Sequence, residues 1–86
     1  MSAFQLQIFT PEETLFSGDA EQLTLRAESG DITILPGHIP CGISVTGGKG
    51  SFTADGARTD FTCGRGTLQV EKERVKLLIC SFSQDK

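Results

Sequence analysis

Apolar and polar residues alternate with period two along nearly the whole chain. Phe4, Leu6 and Ile8 are separated by Gln5 and Gln7, and Leu23, Leu25 and Ala27 by Thr24 and Arg26. The same rhythm recurs at Ile32 and Ile34, Ile43 and Val45, Phe52 and Ala54, Phe61 and Cys63, Leu68 and Val70, and through Val75, Leu77 and Ile79. Successive side chains of a strand point to opposite faces, so each run lays an apolar row on one face. No segment keeps the i, i+3, i+4, i+7 spacing of an amphipathic helix over three turns. The pattern predicts an all-β antiparallel sandwich of about ten short strands without long helices. Its predicted core is Phe4, Leu6, Ile8, Leu23, Leu25, Ile32, Ile34, Val45, Phe52, Phe61, Leu68, Val70, Val75, Leu77 and Ile79.

Turn residues punctuate these runs at Gly18-Asp19, Ser29-Gly30-Asp31, Pro36-Gly37, Gly47-Gly48, Asp55-Gly56 and Gly64-Arg65-Gly66. Asp55-Gly56 is the strongest local signal, because a two-residue type I′ hairpin needs positive φ at both central positions. Thr10-Pro11-Glu12-Glu13 mimics a helix capping box with proline at the first helical position. Gly18 follows too soon for a helix, so the segment reads as a turn into a strand through Leu15 and Phe16. The tail from Ser81 to Lys86 is expected to be loosely held.

Length and charge narrow the classes. Eighty-six residues make one domain, spanning 1–86, that buries roughly 60 % of its unfolded surface. A net charge of −3 with scattered basic residues argues against nucleic acid, which demands clustered Lys and Arg. Met1-Ser2-Ala3-Phe4 lacks the basic and apolar regions of a signal peptide. The longest apolar run, Leu77-Leu78-Ile79-Cys80, is far too short to span a bilayer. The chain is therefore expected to be soluble and intracellular. Three cysteines without CxxC spacing suggest neither a disulfide framework nor a zinc site, and buried free thiols are expected.

No set of residues stands out as an active site. His38 and Cys41 lie near one Pro-rich corner, but nothing marks a third group to orient a Cys–His pair. Gly47-Gly48-Lys49-Gly50-Ser51 lacks the early glycine of a phosphate loop, has Gly50 where Ser or Thr belongs, and reads as a hairpin turn. Gly64-Arg65-Gly66 lacks the third glycine of a dinucleotide fingerprint and reads as a connection. Glu12, Glu13, Asp19, Glu21, Glu28 and Asp31 gather loosely in the first third of the chain, mostly on turns and strand exits, where solvation is their ordinary role. No cofactor or metal is expected.

Gly30-Asp31-Ile32-Thr33-Ile34-Leu35-Pro36-Gly37-His38-Ile39-Pro40 joins a half-buried strand to a rigid corner. This run resembles the signature of the epsilon subunit of the F-type rotary ATP synthase. The opening stretch, with Leu6, Ile8-Phe9-Thr10-Pro11-Glu12 and Leu15-Phe16-Ser17-Gly18, is similar to the family's first two strands. Leu23-Thr24-Leu25, Ala27-Glu28 and Gly30 through Pro40 match its central stretch nearly position for position. Gly66 through Val70 and Val75 through Leu78 resemble its later strands more weakly. Arg65 stands where the family repeats glycine, and Thr67 replaces an aromatic or aliphatic residue. The sequence ends at Lys86, where typical relatives continue into a helical hairpin that carries inhibition and, in some members, ATP binding.

The resemblance implies a non-catalytic subunit of the central stalk. In the family this sandwich sits at the foot of the rotor, clamps the gamma subunit and rests on the ring of c subunits. It couples proton or sodium flow to rotation without touching nucleotide. Carried onto this sequence, Glu28, Ser29 and Asp31 are expected to face the polar loops of the c ring, which are basic in many relatives. Thr10 and His38 are expected toward gamma. The resemblance further implies a monomer within the complex, peripheral at the cytoplasmic face of the inner (plasma) membrane, without lipid insertion. The alternative is a free-standing β-sandwich protein-binding module unrelated to ATP synthesis.

Overall fold

The structure, a computed structural model, describes residues 3–37 and 40–84. The alternating runs form ten strands: β1 Phe4–Phe9, β2 Thr14–Ala20, β3 Gln22–Ala27, β4 Gly30–Ile34, β5 Cys41–Val45, β6 Gly48–Ala54, β7 Ala57–Cys63, β8 Gly66–Val70, β9 Arg74–Ile79 and β10 Phe82–Gln84. No helix occurs among the described residues, and none is therefore long and apolar enough to cross a membrane.

Three long extended runs frame the molecule. Residues 41–54, 57–70 and 74–84 lie side by side, and each is broken once near its middle. Because the runs are antiparallel, the first half of each lies against the second half of its neighbour, giving two separate sets of pairs. β5 pairs β8 and β8 pairs β9, while β6 pairs β7 and β7 pairs β10. Strands β1 and β2 extend the first group, and β3 and β4 extend the second. The result is two five-stranded layers, β5-β8-β9-β1-β2 and β4-β3-β6-β7-β10, joined where Ala27 of β3 meets Val45 of β5. Every pairing is antiparallel except β1 with β9, which run parallel, Leu6 beside Val75 and Ile8 beside Leu77.

The bends that fold one layer over the other are built from glycine. Gly47 has φ 92°, and a Cβ there would sit 3.0 Å from the carbonyl carbon of Gly64. A Cβ on Gly66 would strike the backbone carbonyl oxygen of Leu78. Side chains at these points would hold the three runs apart, so the corner needs residues without one. Backbone bonds stitch it. The Gly64 N–H donates to Ser81 O at 3.0 Å, and the Cys80 N–H donates to Arg65 O at 3.0 Å.

Inward positions of both layers form one core cluster. Every residue of the predicted core is buried except Ile32, which is half-buried on the outermost strand β4 and packs against the cluster. Ala20, Ala27 and Cys63 are also buried. Phe16, Phe52, Phe61 and Phe82 form an aromatic chain across the interior, with centroid separations of 4.5, 6.1 and 5.2 Å. The Phe16–Phe52 contact bridges β2 and β6, strands that are not hydrogen-bonded neighbours, and so closes the two layers on each other.

Asp55-Gly56 makes the expected two-residue hairpin, with φ 53° and 75° and Ala54 opposite Ala57. Thr10 through Glu13 turns as expected into β2, where the Thr10 N–H donates to Glu13 O at 2.9 Å. Four local readings are corrected. The tail is held as far as Gln84, because Phe82–Gln84 pairs with β7 and the Phe82 ring stacks on Phe61. Gly47 through Ser51 is no hairpin turn: β5 and β6 run the same way along one edge of β3, and Lys49, Gly50 and Ser51 lie within β6. Gly18-Asp19 lies inside β2 opposite Leu6 and Gln5, and the chain passes from one layer to the other at Glu21. Only Cys63 of the three free thiols is buried. Cys41 begins β5, which at that end has β8 alone beside it, and Cys80 lies between Ile79 and the corner, on the outward side of the alternation.

Candidate partner-binding surface

The β3–β4 hairpin places Glu28, Ser29 and Asp31 together. Ala27 pairs with Gly30, so Glu28 and Ser29 form the exposed tip, and Asp31 follows on the outer face of β4. The tip is held against the first layer, since the Glu28 N–H donates to Ser44 O at 3.1 Å and the Thr46 N–H to Arg26 O at 3.3 Å. Asp31 sits opposite Arg26, whose Nε donates to its Oδ1 at 3.1 Å. Both side chains are more than half exposed, at 62 % and 69 %, so the pair contributes only about 0.2–1 kcal/mol. Its local effect is to place a cation beside Asp31. Among the described residues, the Glu28 carboxylate has neither an ion pair nor a side-chain hydrogen bond.

Beside this tip lies an open hollow of about 360 Å³, lined by Glu28, Ser29, Gly42, Ile43 and Ser44. Gly42 leaves it clear, as nothing lies within 4 Å of where its Cβ would be. Ile43 is half-buried and supplies an apolar wall.

Thr10 lies at the same end of the molecule but at the far side of the layer. Phe9 pairs Leu78, Leu78 pairs Thr67, and Thr67 pairs Ser44, whose carbonyl holds Glu28. Three strand spacings, about 14 Å, separate β5 from β1. The Pro36-Gly37 corner leaves β4 at its other end, where Ile34 pairs Leu23. That is about 17 Å along the strand from Ser29. The hairpin residues Glu28, Ser29 and Asp31 are thus brought together, and Thr10 stands apart from the corner that leads to His38. His38 itself lies outside the described residues, as does any pairing of it with Cys41.

Sequence reasoning missed two features. The first is Arg26 as the partner of Asp31, a signal readable from their hairpin register. The second is Glu21, read as merely solvated. Its carboxylate accepts from the Asp55 N–H at 2.9 Å and the Gly56 N–H at 3.2 Å, tying the β2–β3 junction to the β6–β7 turn. No spacing in the sequence announces that contact, which spans 34 residues.

Burial, with the neighbouring Cys80 adding to it, pushes the Cys63 thiol above its ordinary value, and a hydrogen bond from the Gly48 backbone opposes the shift. A raised thiol pKa makes a poor nucleophile. Among the described residues no group of three or more His, Cys, Asp or Glu side chains is placed to hold a metal.

Residues 3–84 match the family described as ATP synthase, Delta/Epsilon chain, beta-sandwich domain. Among curated proteins, the chain is 32 % identical over 81 residues to the ATP synthase epsilon chain of Ruminococcus albus, covering 94 % of this chain and 60 % of that one. It is 35 % identical to the epsilon chain of Bacillus velezensis, covering 91 % and 59 %. With the epsilon chain of Frankia casuarinae it shares 31 % identity, covering 86 % and 88 %. The chain thus spans about 60 % of the length of the first two relatives. Among solved structures, its fold is similar to a chain of the Euglena gracilis mitochondrial ATP synthase OSCP/F1/c-ring assembly, with TM-score 0.90 at 16 % identity, covering 98 % of this chain and 54 % of that one. It is also similar to a chain of the Tetrahymena thermophila mitochondrial ATP synthase central stalk and c-ring, with TM-score 0.81 at 11 % identity, covering 93 % and 65 %.

Proposed function

This chain belongs to the ATP synthase delta/epsilon family, whose β-sandwich domain it carries, and on that premise we propose that it is a non-catalytic coupling element of the central stalk. Residues 1–86 act as one domain that transmits ion-driven rotation of the c ring to gamma. The observation that carries this reading is the family match over residues 3–84. The framework described above fits such a role. Its interior is committed to packing, so recognition falls to rigid turns and sheet faces. The Glu28, Ser29 and Asp31 tip serves the c ring, and Thr10 and His38 serve gamma. The about 14 Å between β5, which holds the tip, and β1, which leads to Thr10, is room for two partners rather than one small patch. The domain works as a single copy within the complex, peripheral at the cytoplasmic face of the membrane.

Recovery from source membranes tests this. The tagged chain, drawn from membranes in mild detergent, should bring gamma and c subunits with it, identified by mass spectrometry. Retrieval without either subunit would sink the reading and favour a free-standing binding module.

A further inference from the structure

The two carboxylates at the proposed c-ring end are not equivalent. Asp31 carries its own counter-ion, Arg26, at 3.1 Å. A basic group approaching Asp31 meets that guanidinium first and must compete with it. Glu28 has no such neighbour among its contacts and stands exposed at the rim of the open hollow. The hollow has the parts a long basic side chain needs. Ile43 offers an apolar wall for a methylene stem, Gly42 leaves the way in clear, and Ser29 and Ser44 line the polar side. Lys and Arg bury their stems along apolar surface and keep the charged head among polar groups. A carboxylate-bearing side chain would meet the Glu28 charge and be repelled.

Resting on the coupling role above, we propose that Glu28, rather than Asp31, receives the c ring, and that it does so by accepting one basic side chain of a polar loop laid into the hollow against Ile43. Asp31 and Arg26 then form a self-contained pair beside the contact, and Arg26 opposes it. The signs of three neutralising changes follow. Glu28→Gln removes the acceptor and weakens binding. Asp31→Asn leaves Arg26 uncompensated and weakens it less. Arg26→Gln removes the competing cation and strengthens it.

The experiment measures binding of the immobilised chain to a detergent-solubilised c ring from the same organism, at low and moderate salt. Glu28→Gln should lower affinity about threefold at low salt, the effect of one exposed charge pair, and the difference should shrink as salt rises. Arg26→Gln should bind more tightly than the unaltered chain. Gly42→Val changes no charge and suits a strand, yet fills the hollow, so it should weaken binding at both salt concentrations. Far-UV spectra matching the parent confirm that each variant folds. If the unaltered chain binds the ring but Glu28→Gln binds equally well, or Arg26→Gln binds more weakly, this assignment fails while the coupling role stands. If the unaltered chain does not bind the ring, the coupling role fails and takes the assignment with it.

Discussion

Gly66 shows how much one residue decides here. Its missing side chain is what lets β8 approach β9 at the corner, since a methyl group would meet the Leu78 carbonyl oxygen, a backbone atom that cannot swing aside. Gly66→Ala should therefore cost about 1–3 kcal/mol or more, the range for overpacking, read as a lower urea midpoint. Leu25, 1 % exposed in the core, should cost about 2–5 kcal/mol on truncation to Ala. Either is a large share of a total near 5–15 kcal/mol. Cys63 makes a different prediction. Its folded pKa is raised, so above the ordinary thiol value of 9.0 the unfolded chain has lost a proton that the folded chain keeps. Stability that is complete below that pH should fall as pH rises through it. Denaturation at pH 8 and pH 10 should show the fall, and Cys63→Ala should lessen it. An unchanged slope in the variant would assign the alkaline loss to other groups. At this scale alternation identified nearly the whole core. Cys41 and Cys80 escaped a different rule, the usual burial of free thiols: Cys41 has β8 alone beside it, and Cys80 falls on the outward parity.

At the scale of elements, what the sequence made legible was local. Asp55-Gly56 declares its hairpin through backbone conformations that few other residues tolerate, and the turn at Thr10 through Glu13 follows from proline and the nearby glycine. The corner did not declare itself. Gly47-Gly48 has the composition of a hairpin turn, yet here Gly47 answers a close approach by Gly64, a residue of another run. The parallel pairing of β1 with β9 is equally non-local, as it depends on which edges remain after the central runs have paired. Glu21 links these scales by accepting two N–H groups of a hairpin distant in sequence. Glu21→Ala should lower stability by about 1–2 kcal/mol and speed amide hydrogen exchange at Asp55 and Gly56 more than elsewhere in the chain. Uniform acceleration across the sheet would mean that Glu21 is not a local tie.

For the whole molecule, the fold and the proposed contacts separate cleanly. The interior is sealed, and the Glu28 tip sits on an exposed hairpin that can change without disturbing it. Asp31→Lys should thus leave the unfolding midpoint nearly unchanged while weakening attachment to the c ring, because it places a second cation beside Arg26 on the hairpin that ends in the Glu28 tip. Normal folding with unchanged ion-coupled ATP synthesis at low and moderate salt would remove Asp31 and its surroundings from the coupling contact. The candidate surface was legible only through resemblance, since a solvated carboxylate on a turn looks the same in sequence whether or not a partner meets it. What the three-dimensional arrangement adds is the inequality between Glu28 and Asp31, which depends on Arg26 lying across the hairpin.

The central claim is that this chain rides at the foot of a rotary ATP synthase between gamma and the c ring. Cryo-electron microscopy of the assembly purified through a tag on this chain tests it most directly. The account predicts density for the ten-stranded sandwich at the base of the central stalk, with the Glu28 tip against the c-ring loops and the Thr10 side against gamma. A preparation without the synthase, or a synthase with the sandwich seated elsewhere, would contradict it.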